Sequence, residues 1–186
     1  TDLEKGKLEI SENCEDFVLL KSDGIPTYHF AHAVDDHLMR TTHVIRGEEW
    51  LPSLPKHLQL FRYLGFKAPK YLHIAQLMKM VDGSKKKLSK RDMEANMNDY
   101  RRIGYPPESV NEYIMTLLNS NYEEWHTANQ DKPYTEFPFS VKKMSQSGSL
   151  FDFAKLNDIS KNVISKMNTE RVYNYVLDWA EEFDSD

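Results

Sequence analysis

The segment Thr42-His43-Val44-Ile45-Arg46-Gly47-Glu48-Glu49-Trp50-Leu51-Pro52-Ser53 determines how the first half of the chain folds. It predicts a short strand that ends at Gly47 and is followed by a helix. Ser53 can cap that helix, Pro55 fits its first turn, and Gly65 is expected to end it. The apolar face of the helix is expected to consist of Leu54, Leu58, Phe61 and Leu64.

The segments on either side repeat this alternation of strand and helix. Residues 17–21 are apolar and predict a strand, and the turn signal Ser22-Asp23-Gly24 with Pro26 predicts a hairpin. Residues 70–74 predict a further strand. The helix after the hairpin has the apolar stripe Phe30, Ala33, Val34, His37 and Leu38. This order favours an α/β layer with a parallel sheet.

The second half of the chain carries helical patterns. Met93, Met97 and Tyr100 predict a helix that Gly104 ends. Residues 122–138 are polar, contain two prolines and are expected to form a loop or linker. Three more helices are predicted by the stripes Val110, Tyr113, Ile114, Leu117 and Leu118; Ile159, Val163, Ile164 and Met167; and Val172, Val176, Trp179, Ala180 and Phe183. We therefore expect an all-α unit after the α/β layer.

A cationic run, Lys85-Lys86-Lys87-Leu88-Ser89-Lys90-Arg91-Asp92, lies between the two halves, and five of its eight residues are positively charged. It follows the turn signal Val81-Asp82-Gly83-Ser84, so we expect a loop. Backbone N–H groups, a hydroxyl and several cations together suit a polyphosphate. A solvated basic loop explains the same composition.

The composition excludes several classes of protein. The net charge of −5 over 186 residues excludes nucleic-acid binding by bulk positive charge, so any such contact must use a local patch. Cys14 is the only cysteine, which fits a reducing compartment, and we expect a cytoplasmic protein. No apolar run approaches the roughly 20 residues of a membrane helix. The chain begins at Thr1 without Met, and we expect a segment of a longer gene product.

Arg46 and its neighbours are the first candidates for ligand binding. In open α/β sheets, ligands bind at the carboxyl ends of the strands. Arg46 can hold a carboxylate through two hydrogen bonds, Glu49 can accept from a hydroxyl or ammonium, and Trp50 can pack on a ring. An Arg–Glu surface pair beside a core tryptophan is the alternative. Tyr28, between the hairpin and the first helix, is either a hydrogen-bond donor in a cleft or a core tyrosine.

A second cluster, on the first helix, raises the question of a metal. His29, His32 and Asp36 could supply ligands, and a metal hydrolase that uses them is one alternative function. Nothing in the sequence specifies a further ligand from elsewhere. We therefore expect no protein metal site.

Four stretches, taken together and in order, identify a family. They are Pro26-Thr27-Tyr28-His29-Phe30-Ala31, Val34-Asp35-Asp36-His37-Leu38-Met39, the 42–53 segment quoted above, and Lys87-Leu88-Ser89-Lys90-Arg91. They resemble the carboxyl-terminal half of the catalytic core of bacterial-type glutamyl-tRNA synthetase, a class I aminoacyl-tRNA synthetase. The last stretch resembles that family's version of the Lys-Met-Ser-Lys-Ser loop. Residues 151–157 resemble, more loosely, the helical stem-contact region that follows the loop.

The resemblance implies an ATP-dependent ligase of protein biosynthesis. Glutamate attacks the α-phosphate of ATP, and the adenylate then passes glutamate to tRNA(Glu), or also to tRNA(Gln). The resemblance assigns catalysis to Lys90, assisted by Lys87 and Ser89. It assigns amino-acid binding to Tyr28, His32 and Arg46. It assigns the nucleotide to Glu49, Leu77 and Lys90, with Mg²⁺ expected to accompany ATP.

Two departures from the family pattern shape these expectations. The family often has Asn where this chain has His32, and a histidine can still donate to a carboxylate. The His-Ile-Gly-His signature of class I synthetases is absent from this sequence. We therefore expect a fragment of a glutamate–tRNA ligase that is inactive alone. A stand-alone, synthetase-derived tRNA-binding module is the alternative.

The resemblance also divides the chain. Residues 1–16 are expected to be the end of the acceptor-binding insertion or a flexible start. Residues 17–92 are expected to be the second half of the Rossmann-like catalytic domain, and residues 93–186 the helical stem-contact region.

Overall fold

The computed structural model describes residues 1–89, 92, 96–144 and 148–184. Contacts divide the chain into two compact units, Thr1–Ala75 and Gln76–Asp186. The expected domain boundary near residue 92 stays a prediction. No helix within the described ranges is both long enough and apolar enough to cross a membrane.

The first unit is built on a two-stranded parallel sheet. Its elements, in order, are helix α1 (Tyr28–Leu38), strand β1 (His43–Gly47), a 3-10 turn (Glu48–Ser53), helix α2 (Leu54–Tyr63) and strand β2 (Lys70–Ile74). β1 and β2 pair in parallel, from His43 opposite Lys70 to Gly47 opposite Ile74. Because parallel neighbours need a crossover, the 3-10 turn and α2 provide it. The predicted α/β layer is confirmed.

The amino-terminal residues add a partner along the free edge of β2. The Leu3 amide donates to the Tyr71 carbonyl at 2.9 Å, and Asp2 forms a parallel bridge with Tyr71. This pairing holds Asp2 against the sheet, and the residue is only 2% exposed.

The face that α2 buries differs from the predicted one. Leu54, Leu60 and Phe61 are buried as apolar residues, but Leu58 is 44% exposed and His57 is completely buried. Both ring nitrogens of His57 have hydrogen-bond partners, so a polar side chain can occupy this core position. The stripe on α1 is also narrower than predicted, because only its Ala33 is buried.

The expected strand at residues 17–21 is reduced to one antiparallel bridge, between Leu20 and Pro26. The turn between them contains Gly24 with φ of +81°, and the Lys21 amide donates to the Ile25 carbonyl at 2.9 Å. Because Pro26 has no N–H to donate, the hairpin cannot extend as a regular ladder.

The second unit begins with a β-hairpin where a loop was expected. Strands β3 (Met78–Val81) and β4 (Ser84–Lys87) pair antiparallel, so the prediction of a loop is wrong for residues 85–87. Asp82 and Gly83 both have positive φ, 52° and 76°, as a two-residue hairpin turn requires. The lysine run concealed the strand because lysine is depleted in strands and these side chains are solvent-exposed.

Five described helices complete this unit: α3 (Met97–Ile103), α4 (Pro107–Leu118), α5 (Tyr122–Ala128), α6 (Phe153–Lys166) and α7 (Thr169–Phe183). Gly104 ends α3 in the left-handed conformation, as predicted, whereas Met93 lies outside the described residues. The prediction of a loop over 122–138 is wrong at α5, a short helix that buries little besides Tyr122 and so leaves no apolar stripe. The core of the unit joins α3, α4 and α6 through Tyr100, Val110, Tyr113 and Leu156.

Candidate functional site

Arg46 is the penultimate residue of β1, and two histidine rings hold its guanidinium. Its Nε donates to His73 Nε2 at 3.0 Å, and its Nη1 lies 2.9 Å from His57 Nδ1. His73 comes from β2 and His57 from α2, so three elements fix one side chain. Both rings are completely buried.

The chemistry of arginine determines the proton positions on these rings. A guanidinium has only donors, so the facing nitrogens of His57 and His73 must both be acceptors. His57 then carries its proton on Nε2 and donates to His29 Nδ1 at 2.9 Å. Burial, which penalises the charged ring, lowers the pKa of His57 to about 3, and the neighbouring charges of His32 and Arg46 act in the same direction. His57 is therefore neutral at physiological pH.

Asp2 closes the chain of hydrogen bonds behind His73. With its Nε2 accepting from Arg46, His73 carries its proton on Nδ1, which lies 2.7 Å from Asp2 Oδ2. Asp2 Oδ1 accepts from the amides of Glu4 and Lys5 at 3.0 and 2.9 Å. Burial acts to raise the pKa of Asp2, but these bonds and the one from His73 outweigh it and lower the pKa. Asp2 is therefore an ionised, buried carboxylate.

One nitrogen of Arg46 is left for another group. Its Nη2 is buried and has no hydrogen-bond partner among the described residues. The guanidinium carbon lies 5.0 Å from the Tyr71 ring centroid and 5.8 Å from that of Trp50. The Tyr28 ring packs against Trp50 at 4.7 Å and is half exposed. A fixed cation, aromatic walls and a donor without a partner together suit an anionic group of a small ligand.

His32 lies in the same group of side chains around Arg46, and both of its ring nitrogens have hydrogen-bond partners. Nδ1 lies 2.7 Å from Asp36 Oδ2, and Nε2 lies 3.0 Å from the Tyr71 hydroxyl. Burial raises the pKa of Tyr71, so its hydroxyl keeps its proton and donates to Nε2. Burial also lowers the pKa of His32, against the opposing effect of Asp36. The Tyr28 ring stacks on His32 with 5.9 Å between the ring centroids. The predicted role of His32 in binding the amino acid stays a prediction.

Glu49 has an environment that depends on Gly47. A Cβ atom added at Gly47 would overlap the present position of the Glu49 carboxylate group, which would have to move. Glu49 lies in the 3-10 turn that follows β1, and its predicted place on the nucleotide side remains a prediction.

The predicted catalytic cations belong to the second unit and fall partly outside the described residues. Lys87 is exposed at the end of β4, opposite Met78. After it, the Leu88 amide donates to the Leu77 carbonyl at 2.9 Å, which extends the hairpin by one bond. Leu77 itself is 39% exposed. Lys90 and Arg91 lie outside the described residues.

Asp92 holds Ser89 through two hydrogen bonds. Its Oδ2 accepts from the Ser89 amide at 2.6 Å, and the Asp92 amide donates back to the Ser89 carbonyl at 3.0 Å. Lys79 on β3 pairs with the other carboxylate oxygen, and this bond, followed by the one from Ser89, lowers the pKa of Asp92. Ser89 is thus fixed close to the end of the hairpin.

The residues proposed for a metal are engaged elsewhere. His29 contacts His57, and His32 contacts Asp36 and Tyr71. Within the described ranges, no group of three His, Cys, Asp or Glu side chains is arranged to hold a metal ion. These residues form hydrogen bonds within the group of side chains around Arg46. We call this group the arginine cluster; it consists of Asp2, His29, His32, Asp36, Arg46, His57, Tyr71 and His73.

Sequence reasoning missed four members of this cluster: Asp2, His57, Tyr71 and His73. A signal was available for His57, which is three residues after Leu54 and four before Phe61 and therefore falls on the buried stripe of α2. His73 lies within a predicted strand between Leu72 and Ile74. Asp2 gave no signal, because its partner is 71 residues away.

The α/β layer on a parallel sheet, followed by a largely helical unit, is the fold of class I aminoacyl-tRNA synthetases to which this chain is similar. The sequence model of the family described as tRNA synthetases class I (E and Q), catalytic domain, matches residues 1–158. The chain belongs to this family.

The individual relatives that this chain matches are named glutamate–tRNA ligases. The glutamate–tRNA ligase of Acetivibrio thermocellus is 56% identical over 183 residues, which cover 98% of this chain and 34% of that protein. The glutamate–tRNA ligase of Clostridium perfringens (strain 13 / Type A) is 55% identical over 186 residues, all of this chain and 34% of that protein. The chain thus spans about a third of the length of these relatives.

A solved structure supports the same assignment. The crystal structure of a glutamate tRNA ligase from Elizabethkingia meningosepticum, in complex with its amino acid, superposes with a TM-score of 0.79 at 32% identity. The match covers 97% of this chain and 39% of that one. The predicted family is therefore confirmed.

Proposed function

We propose that this chain is the carboxyl-terminal part of the catalytic core of a cytoplasmic glutamate–tRNA ligase. In the complete protein, glutamate and ATP form glutamyl-adenylate, and the glutamyl group then passes to tRNA(Glu). The chain alone is inactive, because it lacks the His-Ile-Gly-His signature that contacts ATP in this class. A further transfer to tRNA(Gln) stays a prediction.

The unpartnered Nη2 of Arg46 is the observation that supports glutamate binding. The nitrogen is buried, and the rings of His57 and His73 fix its guanidinium. The Trp50 ring, which packs against Tyr28, lies 5.8 Å from the guanidinium carbon. In the complete protein, a carboxylate of glutamate would be the acceptor that Nη2 lacks. Burial of a donor without a partner costs about 1–3 kcal/mol, so filling this position favours binding.

The second unit supplies the cationic end of the reaction. Adenylation brings a carboxylate against a triphosphate, so cations must stabilise the charge that develops on the leaving pyrophosphate. We assign this role to Lys90, assisted by Lys87 and by Ser89, which Asp92 holds after the hairpin. Glu49 and Leu77 serve the nucleotide. Mg²⁺ arrives with ATP, and this chain contributes no ligand set for it among its described residues.

The test is glutamate-dependent exchange between ATP and pyrophosphate. A full-length ligase that carries this sequence should catalyse exchange, and the isolated chain should not. Exchange with another amino acid but not with glutamate would contradict the proposal, as would activity of the isolated chain.

An arginine variant tests the site itself. Arg46→Ala in the full-length ligase should raise the KM for glutamate by about 10²-fold, because a buried charged contact is lost, and leave the KM for ATP nearly unchanged. Arg62→Ala is the matched control, since Arg62 is exposed and pairs with Glu12 at the surface. An unchanged glutamate KM in Arg46→Ala would remove Arg46 from the amino-acid site.

A further inference from the structure

We infer that Asp2 and His73 form a positioning pair that fixes the orientation of the Arg46 guanidinium for glutamate. Neither residue points its hydrogen bonds at the ligand position. They act through Arg46, and the inference therefore rests on the function proposed above. It extends the glutamate site to a carboxylate from the amino-terminal segment.

The geometry leaves one arrangement of protons. Asp2 Oδ2 accepts from His73 Nδ1 at 2.7 Å, so the lone pair of the ring is on Nε2, where Arg46 Nε donates at 3.0 Å. Without the Asp2 carboxylate, the His73 ring could carry its proton on Nε2. Its Nε2–H would then face the Nε–H of Arg46, and no hydrogen bond could form between them. The charge of Asp2 thus selects the tautomer that accepts from Arg46.

Burial makes this selection strict. The side chains of both Asp2 and His73 are completely buried. Water therefore cannot supply the hydrogen bond that a wrong tautomer of His73 would lose, and the free-energy cost of that tautomer is high. Arg46 Nη1 is held separately by His57 at 2.9 Å. With two of its three nitrogens fixed, the guanidinium plane cannot rotate, and Nη2 keeps one direction.

The local backbone fixes the place of Asp2. Its Oδ1 closes a turn by accepting from Glu4 and Lys5, and the Lys5 ammonium pairs with Glu48 at 2.8 Å in the turn after β1. The amino-terminal segment is therefore attached both to β2 and to the turn that follows Arg46. A purely structural anchor would require only the backbone bonds, whereas the Oδ2 contact serves the imidazole.

The decisive variant is Asp2→Asn in the full-length ligase. Asparagine keeps an oxygen for the Glu4 and Lys5 amides but offers an N–H to His73 Nδ1. The ring then carries its proton on Nε2, opposite Arg46 Nε, and the guanidinium shifts. We expect the KM for glutamate to rise by about 10²-fold, since small misplacements of a positioning group have effects of that order. The KM for ATP should change less than about twofold. Asp23→Asn, in an exposed turn where Asp23 accepts from Ile25, is the matched control and should change neither constant.

A second background separates positioning from folding. In His73→Gln, an amide oxygen can take the place of Nε2 and accept from Arg46 whatever residue stands at position 2. Asp2→Asn should then raise the glutamate KM by less than about threefold in that background, a non-additivity expected only of coupled residues. An equal factor in both backgrounds would overturn the inference, and so would an equal rise in the KM for ATP and for glutamate.

Further outcomes keep the test decisive. If Asp2→Asn does not fold, the pair His73→Gln and His73→Leu decides, because only glutamine offers an acceptor. The inference is supported if His73→Gln keeps a glutamate KM close to that of the wild type while His73→Leu raises it by about 10²-fold. Equal increases in the two variants overturn the inference. If Arg46→Ala raises the glutamate KM and Asp2→Asn does not, the inference fails alone. If Arg46→Ala has no effect on the glutamate KM, the proposed role of Arg46 in glutamate binding fails and the inference with it, whereas the ligase function fails only if the full-length protein shows no glutamate-dependent exchange.

Discussion

The two units present positive charge in opposite ways. In the first unit, one guanidinium is enclosed by buried imidazoles and backed by an ionised aspartate. In the second, three consecutive lysines, Lys85, Lys86 and Lys87, stand exposed on β4. The first arrangement fixes a cation before any ligand arrives. In the second unit, the lysine side chains are exposed and can adjust their positions when a ligand binds.

This difference predicts different kinetic roles. A cation that holds the amino acid in the same way before and during the reaction contributes equally to ground state and transition state, so its loss should appear in KM. A cation that meets charge only as pyrophosphate leaves should affect kcat. The proposed assignments of Arg46 and Lys90 agree with this division. Two substitutions test it, and two further experiments test the stability of the buried cluster and of the exposed hairpin.

Removal of the catalytic lysine should have the largest effect. Lys90→Ala in the full-length ligase is expected to lower the adenylation rate by about 10²–10³-fold, because one transition-state cation is lost. The KM for glutamate should stay nearly unchanged. Single-turnover formation of the adenylate measures the rate, and Lys85→Ala is the control, expected to be nearly neutral. A collapse of glutamate binding at an unchanged rate would reverse the assignment.

Replacement of the fixed cation by a flexible one should have the next largest effect. Arg46→Lys keeps the charge but loses the planar fork that contacts His57, His73 and the ligand together. We expect the glutamate KM to rise about 30-fold, which corresponds to about 2 kcal/mol. Steady-state exchange at varied glutamate measures it, with Arg62→Lys as the control. A value within about twofold of the wild type would show that charge alone suffices.

Acid should destabilise the arginine cluster. The unfolded His57 ring takes up a proton below about pH 6.5, but the buried ring has a pKa of about 3. The unfolded state therefore binds more protons in this window, and stability falls as the pH falls. Between pH 7 and pH 5 the wild type should lose about 2 kcal/mol more than His57→Gln.

Urea unfolding at the two pH values measures this difference. His43→Gln, at an exposed ring, is the control for the replacement of a histidine by glutamine. Equal slopes for the wild type and His57→Gln would show that His57 does not titrate between these states.

A substitution in the hairpin turn should have the smallest effect. Gly83 has φ of +76° and open space around its Cα, so Gly83→Ala adds backbone strain without a clash. We expect a local loss of about 1 kcal/mol, seen as faster amide exchange in β3 and β4. Asp82→Gly, at the neighbouring position with positive φ, should not accelerate exchange. Unchanged protection in Gly83→Ala would show that the turn is not in the left-handed conformation.

The parts of the fold that follow local rules could be predicted from the sequence. The end of β1 at Gly47 and the end of α3 at Gly104 both depend on residues close in the chain. The hairpin was concealed because a strand of exposed lysines has no alternation of apolar and polar residues. The Asp82-Gly83 turn was the signal for it.

The site shows the same limit. The expectations for Arg46 and Tyr28 rest on a strand end and a helix start, where chain order determines position, and their roles stay predictions. The partners that hold Arg46 depend on pairings across 11 to 71 residues, which no local pattern specifies. Their polarity in buried positions was the only indication, and it requires the tertiary fold to be interpreted.

A crystal structure of the full-length ligase with glutamate would show directly whether the fixed guanidinium binds the amino acid. We predict a glutamate carboxylate oxygen about 2.7–2.9 Å from Arg46 Nη2, with the bonds from Arg46 to His57 and His73 intact. A glutamate whose carboxylates do not contact Arg46, or an arginine released from both rings when glutamate binds, would contradict the proposed site.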